Sequence, residues 1–151
     1  MSEMEELVEM LGGDEIDEVD EDKPTPPAAT LDQLKKKKRV TKTITVVVTD
    51  DDGEPLEVSL SFRGISAYRY DKLISAYPPR PSDKKQGFGY NPDKFGPALI
   101  AATCIDPEMS EEDAKEIWES DDWNRGERMR LMMTAIEVCT AGLDVPFNRS
   151  G

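Results

Sequence analysis

The side chains that could carry out chemistry form a restricted set, because the 151-residue chain contains no histidine. This composition excludes Ser-His-Asp and Cys-His nucleophiles, histidine-liganded zinc and histidine general bases. The two cysteines, Cys104 and Cys139, are too few for an all-thiolate zinc site or a disulfide framework. Both lie in predicted helices, so we interpret them as small buried apolar residues. The alternative is a disulfide between them, which we disfavour because cytosolic disulfides are rare.

An enzyme without histidine would need paired carboxylates, a carboxylate-bound metal ion, or an activated lysine or cysteine. The acids at 111–116 fall at the start of a predicted helix, where they favour the helix dipole, and those at 121–122 lie in a predicted loop. A magnesium site built from them is the weaker alternative. The acids at 50–54 lack the spacing of a calcium loop, and Gly87-Phe88-Gly89 lacks that of a phosphate loop. We therefore predict a non-enzymatic protein with no catalytic, cofactor-binding or metal-binding residues.

The net charge of -13 is concentrated at the N-terminus. Residues 1–22 contain eleven acids and no base, which leaves 21 acids and 19 bases in the rest of the chain. We predict that residues 1–39 form a disordered acidic tail and linker, with a marginal short helix over 3–11. The five bases at 35–39 are interpreted as a solvated lead-in to the first strand. The alternatives are an electrostatic clasp on the acidic tail or a phosphate contact.

Three further features are disfavoured by the sequence: a membrane span, a secretory signal and a nucleic-acid partner. No apolar run approaches the roughly 18 residues that a membrane span requires. The first ten residues are acidic rather than basic, so we expect no secretory signal. The basic run has no interleaved aromatic residues, and we expect no nucleic-acid partner.

The positioning elements begin at Val40, where apolar and polar side chains alternate. Ile44, Val46 and Val48 alternate with threonines, and Leu56, Val58, Leu60 and Phe62 alternate with Glu57, Ser59 and Ser61. An Asp-Gly turn at 52–53 separates the two runs, which predicts a β-hairpin with one apolar face. Since an isolated hairpin is marginally stable, this face must cover a core.

Helical spacing replaces the alternation after Gly64. We predict four helices with polar N-caps and apolar stripes, over residues 66–77, 91–103, 110–119 and 124–141. Residues 78–91 are predicted to be a long irregular connection. The expected fold is α+β, with a mostly helical C-terminal domain and one N-terminal β-hairpin over 40–142, followed by a loose tail over 143–151.

Contact surface is the remaining candidate for function. Met129, Met132 and Met133 lie on the last predicted helix, where flexible methionine side chains can adapt to a partner. The alternative is that these methionines, and the two tryptophans, form the domain core. The candidate partner-binding residues are Phe95, Leu99, Ile117, Trp118, Trp123, Met129, Met132, Met133 and Ile136.

The order of motifs over residues 55–142 resembles the tail assembly chaperones of long-tailed bacteriophages, especially those of actinobacterial hosts. The motifs follow the hairpin and are Tyr70-Asp71-Lys72-Leu73-Ile74, Tyr77-Pro78-Pro79, Phe95-Gly96-Pro97-Ala98-Leu99-Ile100-Ala101-Ala102, Asp106-Pro107-Glu108-Met109-Ser110-Glu111-Glu112-Asp113-Ala114 and Trp123-Asn124. The resemblance does not cover residues 1–39, so it implies nothing about the acidic tail or the basic run.

The resemblance implies a non-catalytic protein of the infected host cytoplasm that is absent from the mature virion. Its partners would be the tape measure protein, which it keeps soluble, and the tail tube (major tail) protein, which it helps to recruit. Self-association is left open. As a hypothesis, the apolar residues at 7–11 dock on the domain and are displaced by the client. The alternative function is an acidic inhibitor or DNA mimic that blocks a host nucleic-acid enzyme through residues 3–22, and it depends on charge density alone.

Overall fold

The computed structural model describes residues 24–142. The predicted helix over 3–11, the disordered acidic tail and the loose tail over 143–151 lie outside the described residues. The described chain falls into two units, one up to Lys37 and one from Lys38 onward. The first contains α1 (Leu31–Lys35) within the predicted linker. Thr30 and Gln33 form a reciprocal capping box there, which sequence analysis did not recognise.

The predicted hairpin is present in the second unit. Strands β1 (Thr41–Thr49) and β2 (Pro55–Arg63) pair antiparallel, with Val46 opposite Val58. In the turn, Gly53 has a φ of 83°, and its N–H donates to the carbonyl oxygen of Asp50 over 3.0 Å. The Asp50 carboxylate accepts from the N–H groups of Asp52 and Glu54, both at 2.9 Å. The acidic residues therefore build a turn, as expected. Gly53 completes the turn, because glycine tolerates the left-handed conformation that the turn requires at this position.

A third strand, β3 (Cys104–Asp106), extends the sheet and was not predicted. The prediction that Cys104 lies in a helix is therefore wrong, because α4 ends at Thr103 and Cys104 begins this strand. It pairs antiparallel with β2, where Phe62 lies opposite Cys104 and Ser61 opposite Asp106. The strand order in the described sheet is β1-β2-β3, so β1 lies at one edge. Three residues between a helix and a proline carry no periodicity, and only the distant contact with β2 makes them a strand.

The helices follow the predicted caps. They are α2 (Ala67–Ala76), α3 (Pro81–Lys85), α4 (Pro92–Thr103), α5 (Glu111–Glu119) and α6 (Arg125–Thr140). Helix α3 lies inside the predicted irregular connection, which is therefore partly helical. Its first turn forms because Pro81 occupies the first helical position and Asp83 accepts from the Arg80 N–H at 2.8 Å. The described residues confirm the α+β class, with a mostly helical C-terminal part.

The core lies between one face of the sheet and the helices. Ile44, Leu60 and Phe62 from the sheet meet Phe95 and Leu99 of α4 and Leu131 of α6 in a single buried cluster. Two glycines allow close packing. A Cβ on Gly64 would collide with the Val138 carbonyl oxygen, and one on Gly96 would lie 2.7 Å from the Trp118 ring. Gly64 therefore lets α6 pack close to the end of β2, and Gly96 lets α5 pack close to α4.

Candidate protein-binding surface

Helix α6 has a buried side and a solvent-facing apolar side. Leu131, Met132, Ala135 and Val138 are buried, at 0–3% exposure. In contrast, Met133 is 54% exposed and lies between Met129 and Ile136, which are half-buried. These three residues, which we name the α6 stripe, are spaced i, i+4, i+7 and therefore share one helix face.

The structure separates the candidate partner-binding residues into two groups. Phe95, Leu99, Trp118 and Met132 are at most 4% exposed, so they belong to the core and cannot contact a partner while the domain is folded. Ile117, Trp123, Met129 and Ile136 are half-buried, and Met133 is exposed. The division between Met132 and Met133 follows from geometry, because adjacent helical residues point about 100° apart.

Polar contacts fix α6 against the sheet. Asn124 and Glu127 form a reciprocal capping box at its start, with bonds of 2.8 and 2.9 Å. Further along, Arg130 Nη1 donates to the Thr45 carbonyl oxygen over 2.6 Å, and Lys42 Nζ lies 2.8 Å from Glu137 Oε1. Since Lys42 and Glu137 are about half exposed, their ion pair orients the helix more than it stabilises it.

A cluster around Trp118 joins α4, α5 and α6. The Arg128 guanidinium lies 4.6 Å from the Trp118 ring centroid, and Arg128 Nη1 donates to the Trp118 carbonyl oxygen over 2.9 Å. Trp118 Nε1 also donates to Asp93 Oδ1 over 3.2 Å. Arg80 Nη2 donates to Asp93 Oδ2 over 3.1 Å. These contacts hold Trp118 in one orientation, so it acts as a structural residue.

The carboxylates of this region are held in their ionised form. Arg80 Nε and Nη2 donate to both oxygens of Asp83, at 2.8 and 3.0 Å, and these bonds outweigh burial and lower the pKa of Asp83. Burial opposes ionisation of Asp93. The hydrogen bonds from Trp118 and Arg80, with the charges of Arg80 and Arg128, outweigh it and lower the pKa of Asp93. The same carboxylates raise the pKa of Arg80.

The described residues offer little reactive chemistry. Both cysteines are free, and burial raises the pKa of the Cys104 and Cys139 thiols, so each stays protonated and poorly nucleophilic at neutral pH. Within residues 24–142, no three Cys, Asp or Glu side chains are grouped to hold a metal ion. None of the helices in this range is long and apolar enough to cross a membrane.

A groove of about 790 Å³ runs beside the edge strand β1. We name it the β1 groove; it is lined by residues 45–49, Asp122, Trp123, Glu127 and Arg130. Of the candidate residues, only Trp123 contributes to it. The groove leaves no signal in the sequence, because it forms between the hairpin and the start of α6, which are some 75 residues apart along the chain.

Comparisons with known proteins identify no relative. No protein-family model matches this sequence, and no characterised protein or solved structure is significantly similar to it. Function must therefore be inferred from the surfaces described above and from the motif order over residues 55–142.

Proposed function

We propose that this protein is a non-catalytic tail assembly chaperone that binds the tape measure protein of a bacteriophage. In this role it keeps its client soluble and helps to recruit tail tube subunits in the host cytoplasm. The observation that carries the proposal is the α6 stripe, in which Met133 is 54% exposed between two half-buried apolar residues.

The geometry of the stripe suits a helical client. The stripe spans eight residues of helix, or about 10 Å, which matches roughly two turns of an apposed helix. A helical client would place its own i, i+3, i+4 apolar residues against such a ridge. Methionine suits a chaperone that must accept several client segments, because its unbranched thioether side chain repacks easily.

The charge distribution supports the same role. The client of such a chaperone is long and prone to aggregate, so the complex needs a feature that prevents aggregation. Residues 1–22 carry a net charge of -11 while the rest of the chain is almost neutral. Repulsion between such segments keeps crowded complexes apart.

The test is co-expression of the full chain with a fragment of a tape measure protein. We expect the fragment to become soluble and to co-purify with the chain. Met133→Asp should weaken binding about tenfold or more, because it places a charge in the contact. The matched control is Tyr68→Asp on α2, where another exposed apolar residue (69%, against 54% for Met133) receives the same charge away from the stripe.

Two results would contradict the proposal. One is a fragment that remains insoluble in the presence of the chain. The other is equal binding by the two aspartate variants. If the chain instead binds a basic nucleic-acid enzyme, and loses that binding when residues 1–22 are removed, the inhibitor function is correct.

A further inference from the structure

Within residues 24–142, no strand pairs with the outer edge of β1, although Arg130 of α6 donates to one carbonyl on it, that of Thr45. The Val40 carbonyl accepts from the Gly64 N–H at 2.9 Å, and the Asp50 N–H donates to the Glu54 carbonyl at 2.8 Å. Even-numbered residues of β1 therefore bond to β2, and odd-numbered residues direct their N–H and C=O groups away from it. The hydrogen bond from Arg130 to the Thr45 carbonyl agrees with this alternation, because Thr45 is odd-numbered and its carbonyl points away from β2.

This edge lacks the features that usually prevent strand pairing. Residues 43–49 contain no charge, proline or glycine, and all of them are β-branched. Val47 is 59% exposed on the outer face of the strand. Native proteins protect long edges with charges, bulges, prolines or a covering element. The seven residues 43–49 of this edge strand lack such charges, prolines and glycines and are suited to bind another strand.

The charges at the two ends of β1 select the partner and its direction. Lys38, Arg39 and Lys42 lie at the start of the strand, and Asp50, Asp51, Asp52 and Glu54 lie at its end. When two copies pair antiparallel, the basic end of each meets the acidic end of the other. Parallel pairing would oppose like charges at both ends, which is unfavourable.

We propose that two copies of this protein associate by antiparallel pairing of their β1 strands about a two-fold axis at Val46. Thr45 then lies opposite Val47 of the second copy, and Lys42 opposite Asp50 of the second copy. The outward groups of residues 43–49 form about eight backbone hydrogen bonds, in which each Thr45 carbonyl uses its second lone pair because Arg130 occupies the first. The two sheets become one of six strands.

The same pairing fills the β1 groove. Even-numbered side chains of β1 face the helices, since Ile44 is buried and Val46 and Val48 are half-buried. The corresponding side chains of the second copy enter the groove and bury its apolar wall, including Trp123. This surface is separate from the α6 stripe, so the inference does not depend on the proposed function.

A charge-exchange experiment tests the pairing directly. The variant Lys38→Glu/Arg39→Glu adds two acids at the start of β1, and the variant Asp51→Lys/Asp52→Lys adds two bases at its end. Asp50 is retained because its carboxylate holds the turn. The full chains are studied by sedimentation equilibrium at about 0.15 M salt, which screens long-range repulsion between the acidic segments.

We expect wild type to form dimers at protein concentrations in the tens of micromolar. Each charge variant alone should dissociate about tenfold more readily, because at both ends of the paired strands it replaces two attractive charges by two repulsive ones. An equimolar mixture of the two variants should form a heterodimer with nearly wild-type affinity. Non-specific aggregation or unfolding would not be rescued by mixing.

A second pair of variants tests the edge itself. Val47→Lys places a charge on the pairing edge and should leave the chain monomeric. Ser59→Lys places the same charge on the exposed face of β2, away from the edge, and should leave the dimer intact. A monomeric wild type, charge variants that are not rescued by mixing, or equal effects of the two lysines would overturn the proposal.

Discussion

Replacement of Gly96 by alanine tests how closely α5 packs on α4. A Cβ at this position would lie 2.7 Å from Trp118 Cη2 and 2.8 Å from Cζ3, inside van der Waals contact. The ring cannot move away freely, because Asp93 binds its N–H and Arg128 stacks on its face. Overpacking of this kind costs about 1–3 kcal/mol, whereas Gly→Ala in a helix interior gains about 1 kcal/mol. We therefore expect a net loss of up to about 2 kcal/mol in the free energy of unfolding.

The measurement is urea unfolding of the full chain, followed by tryptophan fluorescence and far-UV circular dichroism. Gly126→Ala on α6 is the control, because an added Cβ there meets only Asn124 Oδ1 at 3.5 Å. We expect that substitution to be neutral or to stabilise by up to about 1 kcal/mol. The double variant Gly96→Ala/Trp118→Phe should have a free energy of unfolding about 1 kcal/mol higher than the two single losses added together would give, since the smaller ring relieves the overlap. Stabilisation by Gly96→Ala, or strict additivity with Trp118→Phe, would refute the close approach.

Further predictions concern the ionised cluster and the thiols. The pKa of Asp83 is lowered in the folded state, so its stabilising effect is present above the unfolded pKa of about 3.9 and is lost as the pH falls below it. Asp83→Asn should remove this part of the acid dependence in unfolding experiments from pH 6 downward, and an unchanged acid profile would contradict the assignment. Because burial raises the pKa of Cys104 and Cys139, both should react slowly with a thiol reagent at neutral pH and rapidly in denaturant. Rapid reaction in the native state would contradict their burial.

Local signals in the sequence were sufficient for much of the fold. The alternation around the Asp-Gly turn predicted β1 and β2, and polar residues such as Ser66, Asn91 and Asn124 cap helices where expected. The missed elements are short. Helix α3 depends on one proline and on the Arg80–Asp83 contact, and β3 depends on pairing with residues more than 40 positions away. Three-residue elements with non-local partners leave no periodic signal.

The candidate surface was harder to predict than the fold. Periodicity placed Met132 and Met133 together on an apolar stripe, but the side of α6 that faces the core is decided by α4 and the sheet. Met132 became a core residue, and Met133 stayed exposed. Periodicity is equally unable to predict pairing at a sheet edge. The backbone groups of β1 that face outward are those of the alternate residues not hydrogen-bonded to β2, whatever their residue type.

The two proposed surfaces have a joint consequence because no residue belongs to both. Arg130 and Glu137 contact β1, and Met133 lies one helical turn from each of them with 54% of its surface exposed. A dimer formed through β1 would therefore carry two α6 stripes, both free to bind a client. Two linked sites on one long client raise the apparent affinity by about 10²–10⁴ when the geometry permits both to engage. Since Met133→Asp leaves the edge intact and Val47→Lys leaves the stripe intact, loss of client binding and loss of dimerisation are separable outcomes.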